Sequence, residues 1–302
     1  MNVGILTLMG YNYGTFFQAF ALKKSLESLG HNVKIINTAN LPVIFGSVSV
    51  PYPLFSLKNI LLLSSIWKEM GLSPMRKFDG IVIGSDIVWD KGSKPEYFGC
   101  GLPTDNIVTY APSCGEATYK DVSERKKKGL RSIRKLSCRD KKTAEMIQHI
   151  VGRPATKVLD PAFLIDWAKY EKPIKSNNFI LVYSYSGKNR KLCIEAKRLS
   201  KEINGITISP MRYIPWCDVN ISNVTPFEFL SYIKKATYVI TDSFHGTVFS
   251  IIYKKAFISI AMNHKVKDLL QTFDIDPNVL ARYKGKINTK KSKRYLKSMF
   301  EV

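Results

Sequence analysis

Acidic residues are scarce in this chain of 302: 24 Asp and Glu stand against 46 Lys and Arg, a formal charge of +22. Cysteine is sparse and unpatterned. Cys100, Cys114, Cys138, Cys193 and Cys217 form no C-x-x-C pair, which excludes a disulfide framework and a structural zinc site. No apolar run approaches the roughly 20 residues needed to span a bilayer; the richest later segment is ILLLSSIW, 60–67. Met1 leads directly into VGILTL with no basic region before it, so no signal peptide is expected. Internal repeats are absent, as is low complexity outside the lysine-rich stretch after Arg282. These absences point to a cytoplasmic protein, soluble or peripheral at the inner face of the cytoplasmic membrane.

The cationic surplus fits three partners: nucleic acid, an anionic membrane surface, or an anionic substrate. No helix-turn-helix, zinc-finger or aromatic ribonucleoprotein motif is present, so nucleic acid is not the expected partner. A generally basic surface would account for the charge equally well. The length suits two ordinary domains, and 45% hydrophobic residues supply material for two cores.

The pattern is alternating strand and helix. VGILTL reads as a buried strand, GYNYGT as a loop, and Phe16 to Leu29 as a helix with apolar residues at 16, 19, 22, 26 and 29. Gly30 stops it and VKII follows as a strand, the first unit of a doubly wound domain. Residues 40–75, with Pro42, Pro51, Pro53 and Pro74, read as an irregular, partly apolar excursion. GIVIG and IVTY resume the strands; a basic helix over 123–135, a short LSC strand, a helix over 140–150 and a KVL strand ending at Asp160 follow. A charged linker at 166–178 marks the domain boundary, giving domains 1–166 and 167–302. FILVYSY, GITIS, TYVIT and AFISI are the strands of the second, and Thr225 with Glu228 forms a capping box. The expected fold is α/β and GT-B-like, two Rossmann-type domains facing a central cleft.

The strongest local signal is TYVITDSFHGTVFSIIYKKAFISI, 237–260. A strand ends at Thr241, Asp242 and Ser243 turn the chain, and His245 and Gly246 open a helix. Ligands bind at such turns, where free N–H groups and the helix dipole face outward. Gly246 removes a side chain where an anion would approach, and His245 adds a donor able to shuttle protons. On the plainer reading, Asp242 or Ser243 is only an N-cap and His245 an ordinary first-turn residue. A Ser-His-Asp hydrolase does not fit: the residues are too close in sequence, and G-x-S-x-G is missing.

This segment closely resembles the Ser/Arg-Phe-His-Gly signature of the polysaccharide pyruvyl transferase family. Similar blocks occur in the family's order: NYGTFFQAFALKKSLESLGH (12–31), FDGIVIGSDIVWD (78–90), YAPSCG (110–115), SCRDKKTAEMI (137–147), VLDPAFLI (158–165) and FEFLSYIKKATYVITDSFHG (227–246). The resemblance extends over roughly residues 3–273. The resemblance implies a transferase that moves pyruvate from phosphoenolpyruvate onto a sugar as a cyclic ketal, on a bacterial surface polysaccharide or its lipid-linked precursor. It implies no cofactor beyond the donor, and no metal site is visible.

That reaction needs cations for a carboxylate and a phosphate, a proton donor to the methylene carbon, and a base for the sugar hydroxyls. The resemblance assigns Arg139, Ser243, His245, Gly246 and Lys265 to the donor and places the donor on the second domain. Arg139, before a helix, suits a bidentate clamp; on the plainer reading it pairs at the surface with Asp140 or Glu145. Asn12, Gly14, Thr15, Ser85, Asp86 and Trp89 are the acceptor candidates on the first domain. Asp86 would orient or deprotonate a hydroxyl, and Trp89 would stack on a sugar ring unless it packs in the core. His245, Asp86 and Arg139 are the catalytic candidates. Ile87 stands where many relatives carry Gln, Ser243 where part of the family carries Arg, and Lys265 where Arg is frequent. The competing readings are a sugar-nucleotide glycosyltransferase of the same architecture and a non-enzymatic polyanion-binding protein. From Arg282 the basic tail, with Tyr295, Leu296, Met299 and Phe300 as a small apolar face, suits an interfacial anchor on an anionic membrane.

Overall fold

The computed structural model describes residues 1–37, 53–184, 187–260 and 263–301. The chain forms two α/β units. One comprises Met1–Ile44, Ile66–Ile165 and Asn288–Val302, the other Phe45–Ser65 and Asp166–Ile287.

In chain order come β1 (Asn2–Leu6), α1 (Tyr13–Glu27), β2 (Asn32–Ile36), α2 (Pro53–Glu69), β3 (Leu72–Ser73), β4 (Gly80–Ile83) and β5 (Ile107–Thr109). Then follow α3 (Glu124–Ser132), β6 (Ser137–Cys138), α4 (Lys141–Val151) and β7 (Thr156–Lys157). The first sheet is parallel, in the order β3-β2-β1-β4-β5, with Ile5 opposite Val82 and Leu6 opposite Ile83. The two-residue period of a strand sends Val3, Ile5, Val82 and Val108 into one core and Leu6, Ile81, Ile83 and Ile107 into another. Both faces are covered, which is why these strands are continuous apolar runs. β6 and β7 pair separately.

The expected irregular excursion at 40–75 is corrected. Residues 38–52 lie outside the described residues, but from Pro53 the chain is a 17-residue helix. Asn59, Leu63, Trp67 and Met70 are buried at helical spacing. Apolar residues between them conceal that period in the sequence. Asn59 accepts the Asn223 N–H (2.8 Å) and donates to the Met211 carbonyl (2.7 Å) in the second unit, to which this half of α2 belongs.

The second unit contains β8 (Phe179–Tyr183), α5 (Arg190–Glu202), β9 (Ile206–Pro210), β10 (Val219–Ile221), α6 (Pro226–Lys235) and β11 (Tyr238–Thr241). It continues with α7 (Phe244–Ile252), β12 (Ala256–Ser259), α8 (His264–Thr272) and β13 (Leu280–Arg282). The sheet order is β10-β9-β8-β11-β12-β13, parallel except for β13. Thr225 and Glu228 form a reciprocal capping box at the head of α6.

A final helix, α9 (Lys290–Ser298), returns to the first unit. This corrects two expectations, that the tail belongs to the second domain and that its apolar face is free for a membrane. Ser292, Tyr295, Leu296 and Met299 recur at i, i+3, i+4 and i+7 and are all buried. Tyr295, Leu296 and Met299 join the core beneath β1, β4 and β5, and Phe300 packs beside them. The Tyr295 hydroxyl donates to the Thr109 carbonyl (3.0 Å), and the Leu159 N–H donates to the Ser292 hydroxyl (2.9 Å).

Candidate functional site

In each sheet the chain reverses direction of build-up once, between β1 and β4 in the first and between β8 and β11 in the second. Ligands in open α/β sheets bind outside the carboxyl ends of the strands at such switch points. The candidate residues fall into two groups, one at each.

In the first unit, Asp86 follows the carboxyl end of β4. Its φ of 75° is a left-handed conformation that costs a non-glycine residue of order 1 kcal/mol. The cost is offset by a full set of bonds: the Asp86 carbonyl accepts the N–H groups of Val88 (2.9 Å) and Ser113 (2.8 Å), and Oδ1 accepts the Ile87 N–H (2.8 Å). Arg139, just past β6, lies 3.9 Å from Asp86 through Nη2 and donates to Asp160 Oδ2 through Nη1 at 2.9 Å. Asp160 is held by accepting the Ala162 N–H through Oδ1 (3.0 Å). Burial alone would lower the Arg139 pKa, but the charges of Asp160, Asp86 and Asp140 outweigh it and hold the guanidinium above its ordinary value. Side-chain exposure is 0% for Asp160, 4% for Arg139 and 12% for Asp86. Asp86 is therefore the outer end of a buried Asp160–Arg139–Asp86 chain.

Several expected roles change. Arg139 is buried rather than paired at the surface, it donates to Asp160, and it belongs to the first unit, whereas the donor was expected on the second. Ser85 is wholly buried and its hydrogen bonds are internal: its N–H donates to Gln18 Oε1 (3.2 Å), its hydroxyl to the Ala111 carbonyl (3.1 Å), and its carbonyl accepts from Thr7 (3.0 Å). It shapes the β4 turn and does not reach an acceptor. Trp89 is at 0% exposure, donates to the Tyr97 carbonyl (2.7 Å) and packs on Phe98, so no sugar stacks on it. Asn12, Gly14 and Thr15 are not a plain loop, because α1 begins at Tyr13. Asn12 caps it by accepting the Thr15 N–H (3.0 Å), and Thr15 donates to the Gly10 and Asn12 carbonyls (3.0 Å each). What this segment offers a ligand is a helix N-terminus at the β1 switch.

In the second unit, Ser243 caps α7 by accepting the Gly246 N–H (3.5 Å). Asp242 accepts a hydrogen bond from Ser184 (2.8 Å), which follows β8, so the two residues bridge the switch point. His245 occupies the first turn of α7 at 3% exposure, with its ring edge-on to Phe244. Gly246 has a different reason from the one its sequence suggests. A Cβ there would collide with Thr241 and Tyr183, so the glycine lets α7 lie against β11 and β8. Thr247 and Ser259, hydroxyl to hydroxyl at 2.7 Å, tie α7 to β12. One strand further on, Asn263 caps α8 by accepting the Val266 N–H, and Lys265 stands half-exposed in its first turn. Ser184, Asp242, His245 and Lys265 thus share the carboxyl edge of three adjacent strands, β8, β11 and β12.

Sequence reasoning missed Asp160 and Ser184 as site residues. Asp160 carried a signal, since Asp-Pro after a strand is a turn former, but its buried partner is 21 positions away. Ser184 carried none. Among the described residues no three His, Cys, Asp or Glu side chains are grouped to hold a metal ion.

A sequence profile described as polysaccharide pyruvyl transferase matches residues 12–264. No curated protein sequence matches the chain. Among solved structures, a putative UDP-N-acetylglucosamine 2-epimerase from Listeria monocytogenes aligns with 100% of this chain and 89% of its own, at a TM-score of 0.56 and 10% identity. The UDP-GlcNAc 2-epimerase from Neisseria meningitidis, bound to UDP-GlcNAc, aligns over 100% and 94% with a TM-score of 0.54 and 8% identity. The enzyme from Methanocaldococcus jannaschii gives 100% and 92%, a TM-score of 0.51 and 14% identity. At such identities the likeness is one of fold: two Rossmann-like units in one chain, of the GT-B type.

Proposed function

Because the chain belongs to the polysaccharide pyruvyl transferase family, we propose that it transfers pyruvate from phosphoenolpyruvate to a sugar of a bacterial surface polysaccharide or its lipid-linked oligosaccharide precursor, as a cyclic ketal. The observation that carries this reading is the turn after β11, inside the matched segment. It sets a nearly buried His245 at a helix N-terminus, beside the Ser184–Asp242 pair and one strand from Lys265. An anion of about three negative charges suits the helix heads of α7 and α8 with a lysine beside them.

His245 protonates the methylene carbon of the donor, and the adjoining carbon becomes an oxocarbenium-like centre. A sugar hydroxyl oxygen bonds to that carbon and loses its proton to a base. The carbon–oxygen bond to phosphate then breaks and inorganic phosphate leaves. A second hydroxyl adds to the same carbon and loses its proton, closing the ketal. Within the first unit, Asp160 and Arg139 hold Asp86, which is available to contact a sugar hydroxyl. Lys265 and the first-turn N–H groups stabilise the carboxylate and the departing phosphate. Work on a lipid-linked acceptor would put the protein at the inner face of the cytoplasmic membrane; among the described residues no helix is long and apolar enough to cross one.

The test is phosphate release from phosphoenolpyruvate across a panel of lipid-linked oligosaccharides, with mass spectrometry of the acceptor. A pyruvyl ketal on one acceptor supports the reading. Release of a nucleoside diphosphate from a sugar nucleotide, with no turnover of phosphoenolpyruvate, would replace it with glycosyl transfer.

A further inference from the structure

α9 buries one face and exposes another made only of cations. Ser292, Tyr295, Leu296 and Met299 are buried. Lys290, Arg294 and Lys297 lie on the opposite side at i, i+4 and i+7, with Lys291 and Lys293 on its flanks, all five exposed. None of the five forms an ion pair with a described residue.

The charge continues beyond the helix. Arg134 donates to the Met299 carbonyl (3.1 Å), and Lys135 to the Ser298 carbonyl (2.6 Å) at the C-terminal end of α9. Arg153 in turn donates to the carbonyls of Ile133 and Arg134. These side chains are fixed by neutral carbonyls and not by carboxylates, so their positions are set while their charge stays uncompensated. The usual arrangement for surface lysines and arginines is visible elsewhere in the same unit, where Lys23, Lys24, Lys127 and Lys142 pair with glutamates.

We propose that the outer face of α9, with Arg134, Lys135 and Arg153, is a docking surface for an anionic phospholipid bilayer, bound by charge alone and without insertion. Each cation near an anionic leaflet strengthens attachment about fivefold, so the five of α9 suffice for reversible docking. Insertion is ruled out by the burial of Tyr295, Leu296 and Met299 in the unit's own core. A single-stranded nucleic acid fits less well, because it binds through bases stacked on exposed aromatic rings. The aromatic ring on α9 itself, that of Tyr295, is buried. The preference for a bilayer over other polyanions rests on the lipid-linked acceptor proposed above, but binding is read without donor or acceptor, so the two readings fail separately.

The experiment is flotation of the full chain with vesicles of phosphatidylcholine alone or with about a third phosphatidylglycerol. One variant carries K290E, R294E and K297E; a control carries K175E, K197E and K201E on exposed positions of the second unit. Both lose the same charge, and circular dichroism checks that both fold. The wild type and the control should float with the anionic vesicles at about 0.1 M salt and be released at about 1 M, where the Debye length falls from about 10 to about 3 Å. The α9 variant should partition at least on the order of a hundredfold less. Equal loss in both variants would reduce the effect to net charge and overturn the proposal. So would retained binding by the α9 variant, or displacement of the wild type from vesicles by low concentrations of RNA.

Discussion

Arg139 is the residue whose role the structure changes most. Its bond to Asp160 makes removal a matter of stability as well as activity, since Arg139→Ala leaves a carboxylate buried without its cation. The variant should lose about 3–5 kcal/mol in urea unfolding, and Arg139→Lys, which keeps the charge but not the fork, should lose less. A variant as stable as the wild type that only binds phosphoenolpyruvate more weakly would show that the guanidinium faces the donor instead. His245 behaves differently because it sits in a helix first turn with its ring edge-on to Phe244. His245→Ala should keep the fold, as circular dichroism checks, and lower turnover by roughly 100-fold or more, the scale of a lost acid-base group; near-normal phosphate release would remove it from the mechanism. The cysteines divide by burial. Desolvation pushes the Cys114 thiol up to about 11 and the Cys217 thiol up to about 12, whereas Cys100 and Cys193 are part-exposed. At pH 8 only about a thousandth of Cys114 is thiolate. Iodoacetamide should therefore label Cys100 and Cys193 well before Cys114 and Cys217, as followed by peptide mass spectrometry.

At the scale of elements, the packing of α7 against its sheet depends on one missing side chain. Gly246→Ala would drive a methyl group into Thr241 and Tyr183, at a cost of about 1–3 kcal/mol. Reduced stability, measured by thermal unfolding, is the expected result. Unchanged stability with weakened donor binding would restore the reading that the glycine makes room for an anion. The SFHG segment was legible as a strand-turn-helix because its apolar run, cap and helix start all lie within ten residues. That Gly246 serves the sheet was not legible, because Tyr183 approaches from a strand 63 positions earlier in the chain. α2 was hidden for another reason: Ile60, Leu61 and Leu62 lie between the buried Asn59 and Leu63, and one buried position is itself an Asn, so burial has a period that hydropathy does not show.

At the scale of the whole molecule, the C-terminal segment is structural to the unit that begins the chain. Met299 is fully buried with Leu296 and Tyr295, so Met299→Ala should cost about 2–5 kcal/mol. Calorimetry of a chain ending at Ile287 should show the first unit melting earlier while the second is unchanged. A loss confined to the second unit would contradict the partition of the chain. A part of the charge of +22 also acquires a location, since the five cations of α9 turn what reads as a basic tail into a fixed cationic face.

The strands β1, β2, β4, β5, β8, β9, β11 and β12, the two-unit α/β plan, the capping box at Thr225 and the SFHG turn were determined by the sequence itself, while the short edge strands β3, β10 and β13 were not. Each rests on local causes: apolar runs buried on both faces, side chains that satisfy their own backbone, and helix signals a few residues apart. The partners of Arg139, the burial of Ser85 and Trp89, the purpose of Gly246 and the return of α9 to the first unit were decided only by tertiary structure. These depend on residues tens to hundreds of positions apart, brought together by sheet order. A side chain's type states what it can bond to, but whether it meets solvent or a buried carboxylate is a property of the packed fold.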